Sequence, residues 1–540
     1  MHPVSPSPHP SAMRATESAP TLAILFTSDT HGCLTPVDYA TGSIGAACVA
    51  DFSGELDRMR SAGPTLFLDG GDTLQGTPLL RYWLSSPAAT DAAENPVAAV
   101  FGELGLDAFT LGNHDFNYGR DVLAAHLRAL EQAGAACVCA NVHDARGELA
   151  IQPHVIVERD GLRVGICGVV TDYVNVWEAA EHLDDLTISD ALEAAREQAA
   201  LLRASCDLTV CLHHGGFEED LASGRSLSDS KENRACAIAR ELDFDILLTG
   251  HQHMAVPEVR FGSTLAAQPP ANAFAAVRVD VRGSRKDGTG ARRPQMTSWL
   301  AKPQASTRTA RGEAAIARIE ALDGACAAWL NEAVGTLDAA IPAQSKLDAA
   351  RRGDALADLI NEAQLTATGA LVSCTSLSND EVGLPRAVTR RDVCAAYRFM
   401  NTLMVIEITP DQLKEALERC ASYLELDEQG VPRVARAFLE PKIEHYNYDF
   451  YRGISYTADL TRPVGERVAQ LTRADGSPLP NRFSLALNDY RASGTGGYAV
   501  FAACKLLDTV PTSVPVLLEN YIAAHPACTV APCGGVHWVF

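Results

Sequence analysis

The sequence lacks long apolar runs and has a shortage of positive charge. No stretch approaches the roughly 20 apolar residues that a membrane-spanning helix needs, so we expect no membrane partner. The formal net charge is −22 at pH 7. A surface this acidic repels a phosphate backbone over most of its area, which argues against long DNA or RNA as a partner. A small anionic substrate remains compatible with this charge if bound cations dominate the local field.

The sequence also lacks a disulfide framework and a recognisable leader. Its 15 cysteines are odd in number and irregular in spacing, and several lie within apolar runs, among them Cys137, Cys139 and Cys167. This pattern predicts buried free thiols and a reducing compartment. Residues 1–20 have no apolar core, which predicts a disordered tail. We therefore expect a cytoplasmic protein, with an exported form left open if the true start codon lies elsewhere.

The 540 residues are enough for two large domains. From residue 21 to about 280, short β-rich apolar runs alternate with Ala-rich stretches at helical spacing, which predicts a layered α/β domain. The apolar runs are TLAILFT, TLFLD, DAFTLG, ACVCANV, RVGICGVV, DLTVCLH and FDILLTG. The predicted helices span residues 44–62, 121–133, 189–204 and 231–242.

A polar, Gly/Arg-rich stretch at 281–295 ends this first domain. Beyond it, an Ala-rich helical segment precedes a second α+β domain, in which LMVIEIT and RFSLALN are predicted strands. The predicted boundaries are a tail at 1–20, a first domain at 21–300, a linker helix at 301–335 and a second domain at 336–540.

Polar side chains stand where the apolar runs of the first domain end. They are Asp29, His31, Asp72, Asn113, His114, His213, His214, His251 and His253. Sheets of α/β domains place their sites at this edge, and oxygen and nitrogen donors without thiolates suit divalent ions such as Mn²⁺, Zn²⁺ or Fe²⁺. Two such ions about 3.5–4 Å apart would clamp a phosphate, polarise its P–O bond and lower the pKa of a shared water. Asp72 is the natural bridge, because a carboxylate offers one oxygen to each cation.

The order of these motifs matches a known family. DTHG, GDTLQG, GNHDFNYG, HHG and GHQH resemble the calcineurin-like metallophosphoesterases, and within them the bacterial 5′-nucleotidase/2′,3′-cyclic-nucleotide phosphodiesterase family. GDTLQG differs from the GDxVDRG motif of the protein Ser/Thr phosphatases and argues against them. The resemblance implies a four-layer α/β sandwich followed by an α+β nucleotide-binding domain, joined by a helix.

The resemblance also implies two sets of metal ligands. One metal would be bound by Asp29, His31, Asp72 and His253, and the other by Asp72, Asn113, His213 and His251. His213 fits the family pattern His-x-Gly, which leaves His214 as a neighbouring hydrogen-bond donor. His114 would be the catalytic histidine that stabilises the transition state and protonates the leaving oxygen, with Asn117 at the second position of the catalytic dyad.

The second domain resembles the nucleotide-binding domain of the same family through YRFMNTLMVIEIT, EHYNYDFYRGISYTADLTRPVGERV and LALNDYRASGTGGY. The resemblance implies that Phe399, beside Asn401, and Tyr490 sandwich the nucleobase. Such stacking contributes about 1–3 kcal/mol per base and tolerates different bases. From the residues alone, Phe399 could equally be a core aromatic, with Tyr397 as the competing ring, and Asn401 could equally support a loop.

Two departures from the family pattern bear on the substrate. His114-x-x-Asn117 stands where 5′-nucleotidases have His-x-x-Asp, and SCTSLSND lacks their substrate-binding arginine. We therefore expect a 2′,3′-cyclic-nucleotide 2′-phosphodiesterase/3′-nucleotidase with two divalent metals and a small nucleotide substrate. A 5′-nucleotidase or nucleotide-sugar hydrolase is the alternative enzyme. A nucleotide-binding sensor is the non-enzyme alternative, and gaps among the metal ligands would favour it; none is missing.

Overall fold

The fold is described from a computed structural model of the chain. The described residues are 21–227, 231–283, 294–399, 401–440, 443–510, 512–527 and 535–540. The predicted tail at 1–20 and residues 284–293 of the Gly/Arg-rich stretch lie outside them. Two compact units make up the chain. The first contains the residues up to Pro36, Ala47–Leu74 and Pro87–Ile319, and the second contains Val37–Ala46, Gln75–Ser86 and Glu320–Phe540.

The first unit is built on two six-stranded sheets. In spatial order, one sheet has the strands Gln295–Ala301, Ala276–Arg282, Leu22–Thr27, Thr65–Asp69, Ala108–Phe109 and Ala136–Cys137. The other has Val256–Phe261, Thr264–Gln268, Ile246–Thr249, Leu208–His214, Leu162–Val170 and His154–Arg159. A separate two-stranded ladder pairs Val142–Asp144 with Leu186–Ile188. The central strands pair in parallel in both sheets and are fully buried, which explains their continuous apolar sequences.

The faces that the two large sheets turn towards each other share one core. Leu22, Ile24 and Phe26 from one sheet pack in the same cluster as Leu208, Val210 and Leu212 from the other. The helices of this unit are Ser53–Ala62, Pro96–Leu104, Gly119–Gln132, Val174–Trp177, Ala180–Leu183, Ala191–Ser205 and Ala235–Glu241. They confirm the helices predicted at 121–133 and 189–204, whereas the helix predicted at 231–242 spans only Ala235–Glu241.

The α-helix predicted at 44–62 is wrong over residues 44–52, nearly half of its length. Ser43–Ile44 is the second strand of a hairpin with Val37–Asp38, and the helix begins only at Ser53. Gly45 has φ 134°, a conformation that no helical residue adopts, so the Ala-rich sequence after it starts a new element. Sequence order alone could not assign this hairpin to the second unit.

The helix Ala310–Leu330 follows the first unit's last strand and leads into the second unit. There a mixed five-stranded sheet has the order Asp449–Arg452, Val372–Ser376, Phe483–Asn488, Leu403–Ile408 and Lys505–Val510. A three-stranded sheet has the order Val468–Arg473, Ile454–Asp459 and Val536–Val539, and two ladders pair Ala333–Thr336 with Ala387–Thr389 and Leu424–Leu426 with Pro432–Val434. The helices are Pro78–Leu84, Lys346–Arg352, Ala355–Thr368, Arg390–Ala396, Pro410–Ala421, Asp489–Ala492, Ala499–Ala502 and Val514–Ala524. The predicted α/β fold with a second, α+β domain is confirmed.

Two further expectations concern the chain as a whole. The cysteines of the described residues are free thiols and most are buried, as their spacing predicted. None of the helices within the described residues combines the length and the apolar character that crossing a membrane requires.

Candidate active site

The site residues of the first unit lie on loops with an unusual backbone. Five of them have positive φ, namely Asp29 (53°), His31 (49°), Asp72 (57°), His251 (73°) and His253 (57°). A left-handed conformation costs a residue with a Cβ atom about 1–3 kcal/mol, and it persists where the surrounding structure enforces it. Each of these residues follows a buried strand, so the sharp turn directs donors from both sheets to one edge.

Two glycines allow the loops of this edge to approach each other. A Cβ atom at Gly112 would lie 2.1 Å from Asp72 Oδ1, and one at Gly250 would lie 2.1 Å from Ser28 Oγ. Both positions therefore exclude any larger residue. Glycine is required before Asn113 because the backbone there contacts the carboxylate of Asp72, and before His251 because the backbone there contacts the hydroxyl group of Ser28.

Asp115 connects two of the motifs. Its buried carboxylate accepts hydrogen bonds from the backbone N–H groups of Gly112 (2.8 Å), Asp72 (3.0 Å), Thr73 (3.0 Å) and Leu74 (3.1 Å). Burial raises the pKa of this carboxyl group, and the charge of Asp72 adds to the effect. Sequence reasoning missed this role. Asp115 holds the loop with Asp72 against the loop with Asn113.

Asp29, His31 and His253 form the first cluster of donors. One potential ligand atom from each lies within 4.8 Å of the others. The Nε2 atoms of His31 and His253 are 3.0 Å apart, and His253 Nε2 lies 3.4 Å from Asp29 Oδ1. Burial and the neighbouring His253 lower the pKa of His31 to about 4, so its ring is neutral at pH 7 and has a lone pair to offer.

Asp72, Asn113, His214 and His251 form the second cluster. Asn113 Oδ1 lies 2.9 Å from His251 Nδ1 and 3.2 Å from His214 Nε2, and that same nitrogen of His214 lies 3.3 Å from Asp72 Oδ2. Asp72 Oδ1 accepts a hydrogen bond from the backbone of His114 at 2.8 Å. One potential ligand atom each from Asp29, Asp72 and His214 lies within 4.8 Å of the other two, so the two clusters are adjacent.

His214, and not the predicted His213, contributes to this cluster. Along the strand Leu208–His214, the even-numbered residues face the core between the two sheets, and Cys211 faces the helices on the other side. The alternation of strand side chains therefore points His214 at Asp29 and Asp72 and points His213 away from them. Neither ring nitrogen of His213 has a hydrogen-bond partner among the described residues, and burial lowers the pKa of His213 to about 3. The prediction of His213 is corrected to His214, which also fits His-x-Gly, with Gly216 as the glycine.

The environment of His214 fits a divalent cation. Burial by itself lowers the pKa of this histidine, but the carboxylates of Asp72 and Asp29 outweigh it and raise the pKa to about 10. His214 Nδ1 donates to the carbonyl oxygen of Gly70 at 2.7 Å, so Nε2 is the atom that faces the carboxylates. Two carboxylates and an amide oxygen therefore concentrate negative potential at one point, where a divalent cation can replace the proton.

His251 has supports that sequence reasoning missed. Its Nε2 atom lies 2.9 Å from Glu232 Oε1, and Trp177 stacks on its ring with the centroids 5.5 Å apart. A carboxylate that accepts a hydrogen bond from Nε2–H fixes the tautomer in which Nδ1, the atom facing Asn113 Oδ1, is the ligand nitrogen, as is common for metal-binding histidines. Glu232 lies in a polar loop without a recognisable motif, so only the fold brings it to His251.

His114 and Asn117 lie beside these clusters. The rings of His114 and His31 meet edge to face with centroids 5.9 Å apart. The neighbours of the Asn117 amide assign its orientation. With Oδ1 facing His114 Nδ1 (3.2 Å), Nδ2 can donate to the carbonyl oxygen of Asn113 (3.2 Å) and to Glu178 Oε2 (3.1 Å), whereas the opposite orientation directs Nδ2 at His114 Nδ1 and the amide oxygen only at acceptors. Asn117 therefore contacts the predicted catalytic histidine directly, and Glu178 is a further residue that sequence reasoning missed.

The predicted base-binding rings of the second unit are accessible. Phe399 and Tyr490 are each 39% exposed, whereas Tyr397 is 3% exposed and contacts Asn488 through its hydroxyl group. Phe399 is therefore available to a ligand, and Tyr397 belongs to the core. Tyr446 contacts the edge of Phe399, with the centroids 6.5 Å apart.

Asp489 links the segments that contain the two rings. Its carboxylate accepts from Asn401 Nδ2 at 2.7 Å, from the backbone of Thr402 at 3.0 Å and from the backbone of Tyr490 at 2.6 Å. Asn401 thus has the loop-supporting contact that its sequence left open. The next residue after Tyr490, Arg491, is buried against Asp449 at 2.9 Å and so supports the loop instead of facing solvent.

Two family models match the sequence. The model described as calcineurin-like phosphoesterase matches residues 22–255, and the model described as 5′-nucleotidase, C-terminal domain, matches residues 333–503. The first domain of the chain belongs to the calcineurin-like phosphoesterases. The resemblance inferred from the motifs is confirmed, and so is the enzyme class that it implied, a metal-dependent phosphoric ester hydrolase.

Relatives of this phosphoesterase align with nearly all of it. It is 24% identical to the 2′,3′-cyclic-nucleotide 2′-phosphodiesterase/3′-nucleotidase of Haemophilus influenzae, over 98% of this chain and 89% of that protein. It is also 24% identical to the trifunctional nucleotide phosphoesterase protein YfkN of Bacillus subtilis, over 96% of this chain. The chain spans only 38% of the length of YfkN.

Solved structures show the same fold. A candidate 5′-nucleotidase of Staphylococcus aureus, in complex with alpha-ketoglutarate, matches with a TM-score of 0.74 and 27% identity. That match covers 96% of this phosphoesterase and all of the other chain. The NAD nucleotidase of Haemophilus influenzae matches with a TM-score of 0.58 and 18% identity over 96% of this chain and 99% of that one, which supports the fold alone.

Proposed function

We propose that this phosphoesterase binds two divalent metal ions and hydrolyses nucleotides, with 2′,3′-cyclic and 3′-nucleotides as its preferred substrates. The observation that supports the chemistry best is the pair of adjoining donor clusters on both sides of Asp72. Mn²⁺, Zn²⁺ and Fe²⁺ suit this set of imidazole, carboxylate and amide donors.

The proposed ligands follow the two clusters. Asp29, His31, Asp72 and His253 would hold one ion, and Asp72, Asn113, His214 and His251 would hold the other. When bound, two divalent ions supply Lewis acidity and a water molecule of lowered pKa. The surroundings of His31 and His251 suit them to this role, because burial lowers the pKa of His31 to about 4 and Glu232 Oε1 can accept a hydrogen bond from His251 Nε2–H.

His114 would complete the reaction. Its Nδ1–H is held by Asn117 Oδ1, which leaves Nε2 for the substrate. In the hydrolysis, the oxygen of water forms a bond to phosphorus and releases a proton to solvent, while the bond from phosphorus to the leaving oxygen breaks. His114 Nε2 gives its proton to that oxygen and regains one from solvent. The two exposed rings, Phe399 and Tyr490, would stack on the base.

The ligand assignment is tested by one substitution made at two neighbouring positions. His214→Asn is expected to lower the metal content to about half, because it removes a ring that completes one cluster, while His213→Asn keeps both ions. Elemental analysis of the two purified variants, each checked for native circular dichroism, decides the matter. Metal loss from the His213 variant alone would restore the original assignment.

The substrate preference is tested by a panel. Stacking of Phe399 and Tyr490 on the base does not depend on which ribose oxygen carries the phosphate. The segment SCTSLSND has no basic residue that could bind a 5′-phosphate. The orientation of the ribose would therefore determine which phosphate ester is hydrolysed. We expect higher kcat/KM for 2′,3′-cyclic AMP and 3′-AMP than for 5′-AMP, measured as phosphate release in the presence of Mn²⁺. The full-length similarity to enzymes named for the cyclic and 3′ activities agrees with this expectation. If 5′-AMP is the best substrate, the alternative, a 5′-nucleotidase, is correct and the metal chemistry is unaffected.

The base-binding role has its own control. Tyr490→Ala is expected to raise KM for nucleotides at least about tenfold, which corresponds to the loss of one stacked ring. The same variant should leave KM for bis(p-nitrophenyl) phosphate unchanged, since that ester has no nucleobase. An equal change for both substrates would show that Tyr490 supports the fold and does not contact the base.

The compartment proposed is the cytoplasm. The free, mostly buried thiols of the described residues fit a reducing environment. One relative, which is 25% identical, is named a cell wall protein of Listeria monocytogenes, so fractionation of cells is the direct test.

A further inference from the structure

We propose that Glu178 is a positioning residue for the catalytic histidine and acts through Asn117. The inference rests on the proposed role of His114. In the orientation that its neighbours assign to the Asn117 amide, Glu178 Oε2 accepts a hydrogen bond from Asn117 Nδ2, and Asn117 Oδ1 in turn accepts one from His114 Nδ1. The chain thus runs from carboxylate to amide to imidazole. It replaces the direct contact between histidine and aspartate that the sequence lacks, because residue 117 is an asparagine.

An asparagine alone leaves the hydrogen-bond polarity at His114 open. Its amide has a donor end and an acceptor end of the same shape, and a half-turn would present Nδ2 to His114 Nδ1. An NH₂ group cannot accept from His114 Nδ1–H, so the turned amide would leave that N–H group without the acceptor that orients the ring. The carboxylate of Glu178 and the carbonyl oxygen of Asn113 can only accept, so together they select the amide orientation that directs Oδ1 at the ring, and Glu178 is the charged acceptor of the two.

Glu178 is itself held in place. Its side chain is 8% exposed, and Oε1 accepts from the backbone N–H of Ala179 at 3.0 Å and lies 2.7 Å from His182 Nδ1. These contacts fix one carboxylate oxygen and leave the other for Asn117. The preceding residue, Trp177, stacks on His251. One short segment therefore supports both a proposed metal ligand and the proposed catalytic histidine.

The substitution Glu178→Gln is expected to reverse the polarity of this chain. The backbone N–H of Ala179 holds the single remaining oxygen of the glutamine side chain, so its NH₂ group faces Asn117. The carbonyl oxygen of Asn113 alone then opposes rotation of the amide. We expect kcat for bis(p-nitrophenyl) phosphate to fall about 10- to 100-fold, the usual effect of losing a group that orients a functional side chain. KM and metal content should stay unchanged.

The decisive comparison repeats this substitution in an Asn117→Asp background. There the introduced aspartate can accept from His114 Nδ1 directly, and Glu178 places a second negative charge beside it. Glu178→Gln should therefore lower kcat in the natural sequence and raise it, or leave it unchanged, in the Asn117→Asp background. A merely structural role of Glu178 predicts the same loss in both backgrounds, and that result would overturn the proposal.

The matched control is Glu181→Gln, an exposed acidic residue in the helix Ala180–Leu183, which should keep kcat at the wild-type value. Normal kcat in the Glu178→Gln variant of an active enzyme would refute the positioning role alone. Failure of the unmodified enzyme to hydrolyse any ester of the panel would instead refute the proposed function, so the two failures are distinguishable.

Discussion

Replacing Asp72 with asparagine is expected to lower kcat/KM more than about 10³-fold, which corresponds to losing several kcal/mol of charge stabilisation from bridged metals. The carboxylate of Asp72 lies next to both clusters. Its Oδ2 atom is 3.3 Å from His214 Nε2 in the second cluster, and a ligand atom of Asp72 lies within 4.8 Å of one from Asp29 in the first. An amide offers one oxygen where the carboxylate offers two. Hydrolysis of bis(p-nitrophenyl) phosphate and elemental analysis measure the two effects together, and a full metal content with normal turnover would contradict the bridging role.

A control substitution separates the effect on the metals from any effect of the left-handed backbone at Asp72. Asp72 has φ 57°, and asparagine tolerates that conformation as well as aspartate does. Asp160 has φ 50° in the turn between the strands His154–Arg159 and Leu162–Val170, away from the donor clusters. Asp160→Asn is therefore a matched control that changes the same residue type in the same conformation, and it should keep both activity and metal.

Replacing His114 with alanine is expected to keep both metals and to lower kcat by about 10²–10⁴-fold, the usual contribution of a general acid. The reason is that its Nδ1 contacts Asn117, while its backbone, and not its ring, contacts Asp72. Pre-steady-state and steady-state rates, with metal content determined on the same preparation, test this. Loss of a metal would make His114 a ligand, and His143→Ala, at an exposed position of the same unit, is the control.

The donor clusters were largely predictable because they depend on where strands end. Asp29, His31, Asp72, Asn113, His251 and His253 each follow an apolar run in the sequence, and parallel strands bring such positions to one edge. The choice between His213 and His214 was not predictable from the motif, because both satisfy His-x-Gly. The choice depends on which face of the strand Leu208–His214 packs against the other sheet. Side chains alternate along a strand, so His214 can be assigned to the same face as Leu212 once the core between the sheets is known.

The supporting residues were not predictable at all. Asp115, Glu232 and Glu178 contact the site through hydrogen bonds that no motif encodes, and their residue types are common in any surface loop. The hairpin Val37–Ile44 shows the same limit for the fold, because its assignment to the second unit depends on packing over long sequence distances.

The left-handed backbone at the proposed metal site limits which substitutions this chain can accept during evolution. A gene copy released from catalysis would be free to lose its carboxylates and imidazoles, yet its loops would still need positive φ at positions 29, 31, 72, 251 and 253. Glycine and asparagine meet that requirement at the least cost, and branched side chains do not. An inactive paralogue would therefore be recognised by glycine or asparagine at these five positions within otherwise unchanged apolar strands.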